Sequence, residues 1–122
     1  MSTFGCVVGS RSAAGRDEYL RYHDSAIEIP SVAISRIEAV SKDTGVFVVM
    51  GVVERDGGTL YCTAIFVDPV EGLVGKHRKL VPTGSERLIW GRGDGTTLPV
   101  VEKTFTGGEK AVTTKISASI CW

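Results

Sequence analysis

Two short apolar segments separated by a turn sequence constrain the fold of this chain most. The first, Val46 to Val53, is rich in β-branched residues and too short for a typical helix. The second runs from Thr59 to Val67, and residues 54–58 between them end in the turn pair Gly57-Gly58. We therefore predict a hairpin whose two strands are buried on both faces.

The segment before the hairpin predicts two helices. Residues 15–27 carry apolar side chains at helical spacing, and we expect Asp17 and Glu18 in the first turn, where the helix dipole favours acidic residues. Pro30 then interrupts the chain, and a second helix is predicted from a cap at Ser31 to a stop at Gly45. The apolar stripe predicted for the first helix consists of Tyr19, Leu20, His23 and Ile27.

The segment after the hairpin predicts a long loop and further strands. Residues 68–72 turn the chain before a segment from Leu73 to Lys79, and the glycine-rich stretch from Leu80 to Thr96 indicates an ordered, functional loop. Two last strands are predicted, Leu98 to Phe105 and Val112 to Ile120. Helices that cover a sheet with two buried faces indicate a layered α/β fold.

Composition excludes several classes of partner. The chain has 122 residues, which is one domain or part of one, and 14 basic residues balance 14 acidic ones. Without net charge there is no field that attracts nucleic acid or an anionic membrane, and no apolar run is long enough to cross a bilayer. We expect a cytoplasmic protein that binds neither.

Three cysteines, Cys6, Cys62 and Cys121, are too far apart in sequence to indicate a zinc site or a disulfide framework. Buried structural roles are expected for Cys6 and Cys62. Cys121 follows the last predicted strand, where alternation places it on the same side as Ser117 and Ser119. A thiol at the end of a strand is a candidate nucleophile, although a buried structural cysteine fits the same pattern.

A basic cluster, residues 76–79, contains Lys79, the second candidate catalytic residue. Periodicity alone favours a solvated strand end or an anion-binding patch. If Lys79 instead lies beside Cys121, it would lower the thiol pKa and stabilise negative charge on a substrate. Glu86 could orient that lysine or a water molecule. His23 and His77 are available as bases, yet neither has a sequence context typical of a Cys-His pair. The glycines in residues 91–95 lack the context of a phosphate-binding loop.

Three longer segments of the sequence favour a catalytic role for these residues over a structural one. Residues 75–83, 86–91 and 93–99 closely resemble the nitrilase branch of the carbon–nitrogen hydrolase family, and Ile120-Cys121-Trp122 is similar to the start of its nucleophile motif. The resemblance covers essentially the whole chain. It implies one partial domain, residues 1–122, of a four-layer αββα sandwich truncated at both ends. It also implies hydrolysis of a small-molecule nitrile to a carboxylic acid and ammonia, with neither metal nor cofactor.

The resemblance also implies residue roles. Cys121 matches the nucleophile, Lys79 the catalytic lysine and Glu86 the additional glutamate beyond it. The family's general-base glutamate precedes the position that matches Phe4-Gly5, so this chain lacks it, and we expect the chain alone to be inactive. A truncated gene model or an exon-sized fragment of a homo-oligomeric enzyme is expected. The alternatives are a related amidase, a nitrile or cyanide hydratase, or a catalytically inactive binding or assembly module.

Overall fold

The structure, a computed structural model, describes residues 10–120 as a mixed α/β arrangement. Three strands form one antiparallel sheet in the order β1-β2-β3, and two more strands form a separate antiparallel pair, β4-β5. The layered α/β class predicted from the sequence is therefore confirmed for this part of the chain. The elements are α1 (Ala13–Ser25), α2 (Val32–Thr44), β1 (Val48–Asp56), β2 (Thr59–Asp68), β3 (Gly72–Arg78), β4 (Val101–Phe105) and β5 (Val112–Ile116).

Strand β2 is the central strand, and its two faces pack against different helices. On one face, Ile65 and Val67 pack against Ile34 of α2. On the other face, Leu60 packs against Tyr22 of α1. Because successive side chains of a strand point to opposite faces, β2 takes part in two separate apolar clusters. The face next to α2 is called the helix-2 face, and the opposite face is called the loop face.

The predicted hairpin is confirmed, but its turn and one of its strands differ from the prediction. The strands extend to Asp56 and Thr59, so only Gly57-Gly58 turns the chain. Strand β2 is largely buried, as predicted. Burial of β1 on both faces was wrong, since Val49 and Met50 are 43% and 42% exposed. Among the described residues β1 is an edge strand, and these two side chains are only partly covered.

Helix α1 begins earlier than predicted. Ser12 caps it, with its Oγ accepting a hydrogen bond of 3.0 Å from Gly15 N. The prediction that Asp17 and Glu18 lie in the first turn was therefore wrong, because the cap moves the first turn toward the N-terminus. The predicted stripe was also partly wrong. Leu20 is 59% exposed, whereas Tyr22, which was not on the stripe, is buried.

The bounds of helix α2 agree closely with the prediction, but the predicted cap was wrong in one respect, because the Ser31 side chain makes no capping hydrogen bond. The helix follows Ser31 and ends at Gly45, whose φ of 67° is the left-handed C-cap conformation that glycine adopts without strain. Ile34 is fully buried, while Ser41 donates from its Oγ to Val46 O at 2.6 Å. The end of α2 is thereby joined to the approach to β1.

The last predicted strand is shorter than expected. Strand β5 ends at Ile116, which pairs with Val101, and residues 117–120 are not in a strand. Two residues further on, continued pairing would place Ala118 opposite Pro99, which has no backbone N–H to donate to a ladder. The prediction that a strand continues to Ile120 was therefore wrong.

Candidate active site

Lys79 follows the last residue of β3 on the loop face of the sheet. Its backbone N–H donates to Cys62 O at 2.8 Å, and its carbonyl accepts from Gly93 N at 2.9 Å. The side chain is only 7% exposed, although it carries a charge. Buried lysines require partners for the ammonium, because an unpaired buried charge is strongly unfavourable.

The partners of Lys79 come from the loop that follows it. Its Nζ donates to Glu86 Oε2 at 2.6 Å and to Thr83 Oγ1 at 3.2 Å. Thr83 N donates to the same Glu86 oxygen at 2.7 Å. Thr83 and Glu86 also form the capping box of a short 3-10 helix, Gly84–Leu88. The loop predicted to be functional is therefore ordered around the lysine.

The Glu86 carboxyl is held in its ionised form. Burial alone raises its pKa, but the hydrogen bonds from Lys79 Nζ and Thr83 N outweigh burial, and the pKa lies below the ordinary value. At neutral pH Glu86 is therefore a carboxylate, and it forms the ion pair with Lys79. This pair combines two of the three site residues predicted from the sequence.

An aromatic pair lies beside this ion pair. Lys79 Nζ is 5.8 Å from the centre of the Trp90 ring, within the range of a cation–π contact. Trp90 Nε1 donates to Tyr22 OH at 3.0 Å. Neither Tyr22 nor Trp90 was predicted as a site residue. The only signal in the sequence was that Trp90 lies in one of the strings that resemble the nitrilase branch.

On the helix-2 face, the residue before Lys79 belongs to a buried ionic network. Arg78 donates to Glu54 from Nε at 2.9 Å and from Nη2 at 2.6 Å, and Lys76 Nζ and Thr63 Oγ1 donate to the same carboxylate. The Arg78 guanidinium also lies over the ring of Tyr61, 3.8 Å from its centre. Burial raises the pKa of Glu54, but its hydrogen bonds outweigh burial and lower it to about 2.

This network separates the members of the predicted basic cluster. Lys76 and Arg78 bind Glu54, whereas Lys79 binds Glu86 on the other face. His77 is buried, with Nδ1 2.7 Å from Thr97 O. The cluster is therefore not a solvated basic patch.

Cys62 is the cysteine that the structure describes, and it lies near Lys79. Burial raises the pKa of its thiol, the charge of Lys79 partly offsets this rise, and Glu86 adds to it. Cys62 is half-buried, so the predicted burial is only partly met, and a thiol whose pKa is raised is a poor nucleophile. Cys6 and Cys121 lie outside the described residues, so the predicted position of the nucleophile relative to Lys79 stays a prediction.

A cavity of about 450 Å³ opens beside Trp90. Its lining combines apolar and basic groups: Val81, Pro82, Arg87, Trp90 and Arg92. Between residues 10 and 120, no three His, Cys, Asp or Glu side chains are grouped closely enough to hold a metal ion. No helix in the same range is sufficiently long and apolar to cross a membrane.

The buried lysine at the end of a strand, with its glutamate partner, is consistent with the resemblance seen in the sequence, and the comparisons identify the family. The carbon–nitrogen hydrolase family model matches residues 1–122, so the chain belongs to the carbon–nitrogen hydrolase family. Members of this family are hydrolases. The predicted family membership is thereby confirmed.

The curated relatives are nitrilases. An arylacetonitrilase of Trametes versicolor is 63% identical over 100% of this chain and 39% of its own length. A bifunctional nitrilase/nitrile hydratase of Nicotiana tabacum is 47% identical over 99% of this chain, which is 32% of that enzyme. The chain thus spans about a third to two fifths of the length of these relatives.

One solved structure is similar to this chain in fold. The N-terminal amidase superposes with a TM-score of 0.64 at 19% identity, over 87% of this chain and 27% of the amidase chain. At this identity the likeness concerns the fold alone. The described elements correspond to part of that enzyme's α/β fold.

Proposed function

We propose that this chain is the part of a nitrilase that carries its lysine and its nucleophile, and that the whole enzyme converts a nitrile to a carboxylic acid and ammonia. One observation carries the proposal: the Lys79 ammonium is buried at the end of β3 and paired with Glu86 at 2.6 Å. An ammonium fixed in a site of low exposure can stabilise negative charge that develops on a substrate. The similarity to the Trametes versicolor arylacetonitrilase supports a nitrile as substrate.

In the proposed mechanism, the Cys121 thiolate adds to the nitrile carbon and a proton is delivered to the nitrogen, which gives a covalent thioimidate. Water adds to the thioimidate, ammonia leaves, and a second water hydrolyses the resulting thioester to the acid and the free thiol. Lys79 stabilises the charge on nitrogen during attack, and Glu86 holds Lys79 in place. The role of Cys121 rests on the resemblance of residues 120–122 to the nucleophile motif.

The test uses a chimaera in which this chain replaces the matching segment of the Trametes versicolor arylacetonitrilase. Such a graft is reasonable at 63% identity, and it supplies the general-base glutamate of the family. We expect Cys121→Ala to reduce ammonia release from arylacetonitriles and aliphatic nitriles by at least about a thousandfold. Cys62→Ala is the matched control, and its activity should stay within about threefold, since a half-buried thiol with a raised pKa takes no part in the chemistry.

The two cysteine variants separate the possible nucleophiles. Substantial nitrile hydrolysis by Cys121→Ala would disprove the assignment, and loss of activity in Cys62→Ala alone would transfer the role to Cys62. A folded chimaera without any cysteine-dependent turnover would favour the alternative of a catalytically inactive binding or assembly module.

A second candidate is hydration of the nitrile to an amide. It is favoured by the similarity to the bifunctional nitrilase/nitrile hydratase of Nicotiana tabacum. After water adds to the thioimidate, the tetrahedral intermediate gives the acid route when ammonia leaves and the amide when the thiolate leaves. The ratio of acid to amide produced by the chimaera distinguishes the two activities. Homo-oligomerisation and a cytoplasmic location stay predictions from the sequence.

A further inference from the structure

The hydroxyl of Thr83 lies between the two charged groups of the candidate site. Its Oγ1 accepts a hydrogen bond from Lys79 Nζ at 3.2 Å, and it also accepts the backbone N–H of Glu86 in the capping box. The backbone N–H of Thr83 donates to Glu86 Oε2 at 2.7 Å. One residue therefore contacts both the ammonium and the carboxylate.

These contacts restrict the direction of the ammonium hydrogens. A lysine ammonium has three N–H donors, and two of them point to Glu86 Oε2 and Thr83 Oγ1. Within residues 10–120 no third acceptor binds Lys79 Nζ, so its last N–H is available. Because the first two acceptors belong to one capped turn, the direction of the third N–H is fixed by that turn.

We propose that Thr83 is a positioning residue for the nitrilase reaction, which holds the Lys79 ammonium so that its remaining N–H meets the nitrogen of the nitrile during thiolate attack. The inference rests on the proposed function. It assigns to Thr83 a role that acts through Lys79 and not through contact with the substrate. Without the hydroxyl, the ammonium keeps Glu86 as its partner but can rotate about that single hydrogen bond.

The main chain of the turn does not depend on the hydroxyl alone. Glu86 N also donates to Thr83 O at 3.0 Å, and Thr83 N keeps its hydrogen bond to the Glu86 side chain. A valine at this position retains the shape of threonine and both main-chain contacts. Thr83→Val therefore removes the hydroxyl with little other change, and Thr83→Ser restores the hydroxyl without the methyl group.

The experiment measures kcat, KM and Tm for these variants in the chimaera. Thr83→Val should lower kcat by about 10- to 100-fold and leave KM within about threefold, because a small displacement of a catalytic group slows the chemical step. Thr83→Ser should retain kcat within about threefold, since its hydroxyl can accept the same hydrogen bond. Thr104→Val is the control, because its hydroxyl pairs with Thr113 on the exposed β4-β5 pair.

If Thr83 only stabilised the turn, the experiment would give a different result. In that case kcat would follow Tm, and the serine variant would be impaired as much as the valine variant. That pattern, or equal kcat values for Thr83→Val and Thr104→Val in a chimaera whose turnover depends on Cys121, would overturn the inference and leave the nitrilase assignment intact. Absence of Cys121-dependent turnover would instead refute the assignment, and the role of Thr83 would fall with it.

Discussion

Gly93 packs directly against the backbone of Arg78. Its N–H donates to Lys79 O at 2.9 Å, and a Cβ on Gly93 would overlap the carbonyl oxygen of Arg78. The glycine here allows the loop to lie flat on the end of β3. Close packing therefore explains a glycine that, in the sequence, resembled part of a phosphate-binding loop.

The first prediction concerns this contact. Gly93→Ala should destabilise the chimaera by about 1–3 kcal/mol, because the added methyl group must displace the backbone that carries Lys79. Gly95→Ala is the matched control, since a Cβ there meets no atom within 4 Å. The stability of both variants is compared by their urea unfolding midpoints. Equal midpoints for the two variants would show that the loop does not lie against β3 in this way.

Lys79→Arg should be severely impaired in the chimaera, with kcat/KM reduced by about a hundredfold or more. A planar guanidinium cannot replace a compact ammonium between Glu86 and Thr83. Lys76→Arg should be tolerated, because an arginine at that position can still pair with Glu54 on the other face. The measurement is ammonia release under first-order conditions. Similar losses in both variants would mean that the catalytic lysine is wrongly assigned.

Glu86→Gln should lower kcat by about 10- to 100-fold. The amide oxygen can still accept from Lys79, but the charge that fixes the ammonium is lost, and charge-assisted hydrogen bonds are about twice as strong as neutral ones. Glu71→Gln, at an exposed turn position, serves as the control. If kcat is unchanged in Glu86→Gln, the ion pair has no part in positioning Lys79.

The Glu54 network predicts a pH dependence of stability. The pKa of Glu54 falls from 4.5 to about 2 on folding, so the stabilisation is complete well above 4.5 and is lost as the pH falls toward 2. A shift of this size corresponds to about 3 kcal/mol at neutral pH. Glu54→Gln should therefore destabilise the chimaera by about 3 kcal/mol at neutral pH. Among the described residues it leaves Lys76 without a carboxylate partner, and Arg78 keeps only Asp56.

The stability difference between the unsubstituted chimaera and Glu54→Gln should narrow by about 1 kcal/mol between about pH 7 and about pH 3.5. Urea unfolding at several pH values provides the measurement. Glu28→Gln is the control, because Glu28 is largely exposed and its ion pair with Arg55 is 3.3 Å long. A difference that stays constant with pH would show that folding does not lower the pKa of Glu54.

Local patterns predicted much of this fold. The β-branched runs and Gly57-Gly58 indicated the β1-β2 hairpin, and Gly45 marked the end of α2, because these signals act over a few residues. The start of α1 was missed because the cap at Ser12 outweighed the acidic residues that were expected in the first turn. Burial of β1 was overestimated, since an apolar run does not reveal whether its strand lies at a sheet edge.

The site was predicted in part. Lys79 and Glu86 were singled out by resemblance, and the structure brings them together. Glu54 could not be found from the sequence, because a lone glutamate after an apolar run has the pattern of a surface residue. Its burial depends on three partners from β2 and β3 that are distant in sequence. Tyr22 was missed for the same reason, since its partner Trp90 lies on a remote loop.

The capping box has a consequence for how related sequences can differ in length. Glu86 is the third residue of the short 3-10 helix and also the partner of Lys79. Its carboxylate therefore accepts hydrogen bonds both from Thr83 N at the start of the helix and from Lys79 Nζ at the end of β3. An insertion or deletion between residues 79 and 86 would shift the helix register and withdraw the carboxylate from the ammonium. Substitutions that keep Lys79, Thr83 and Glu86 can accumulate in this segment, but its length is fixed. In homologues that retain the pair, alignment gaps should therefore lie outside it.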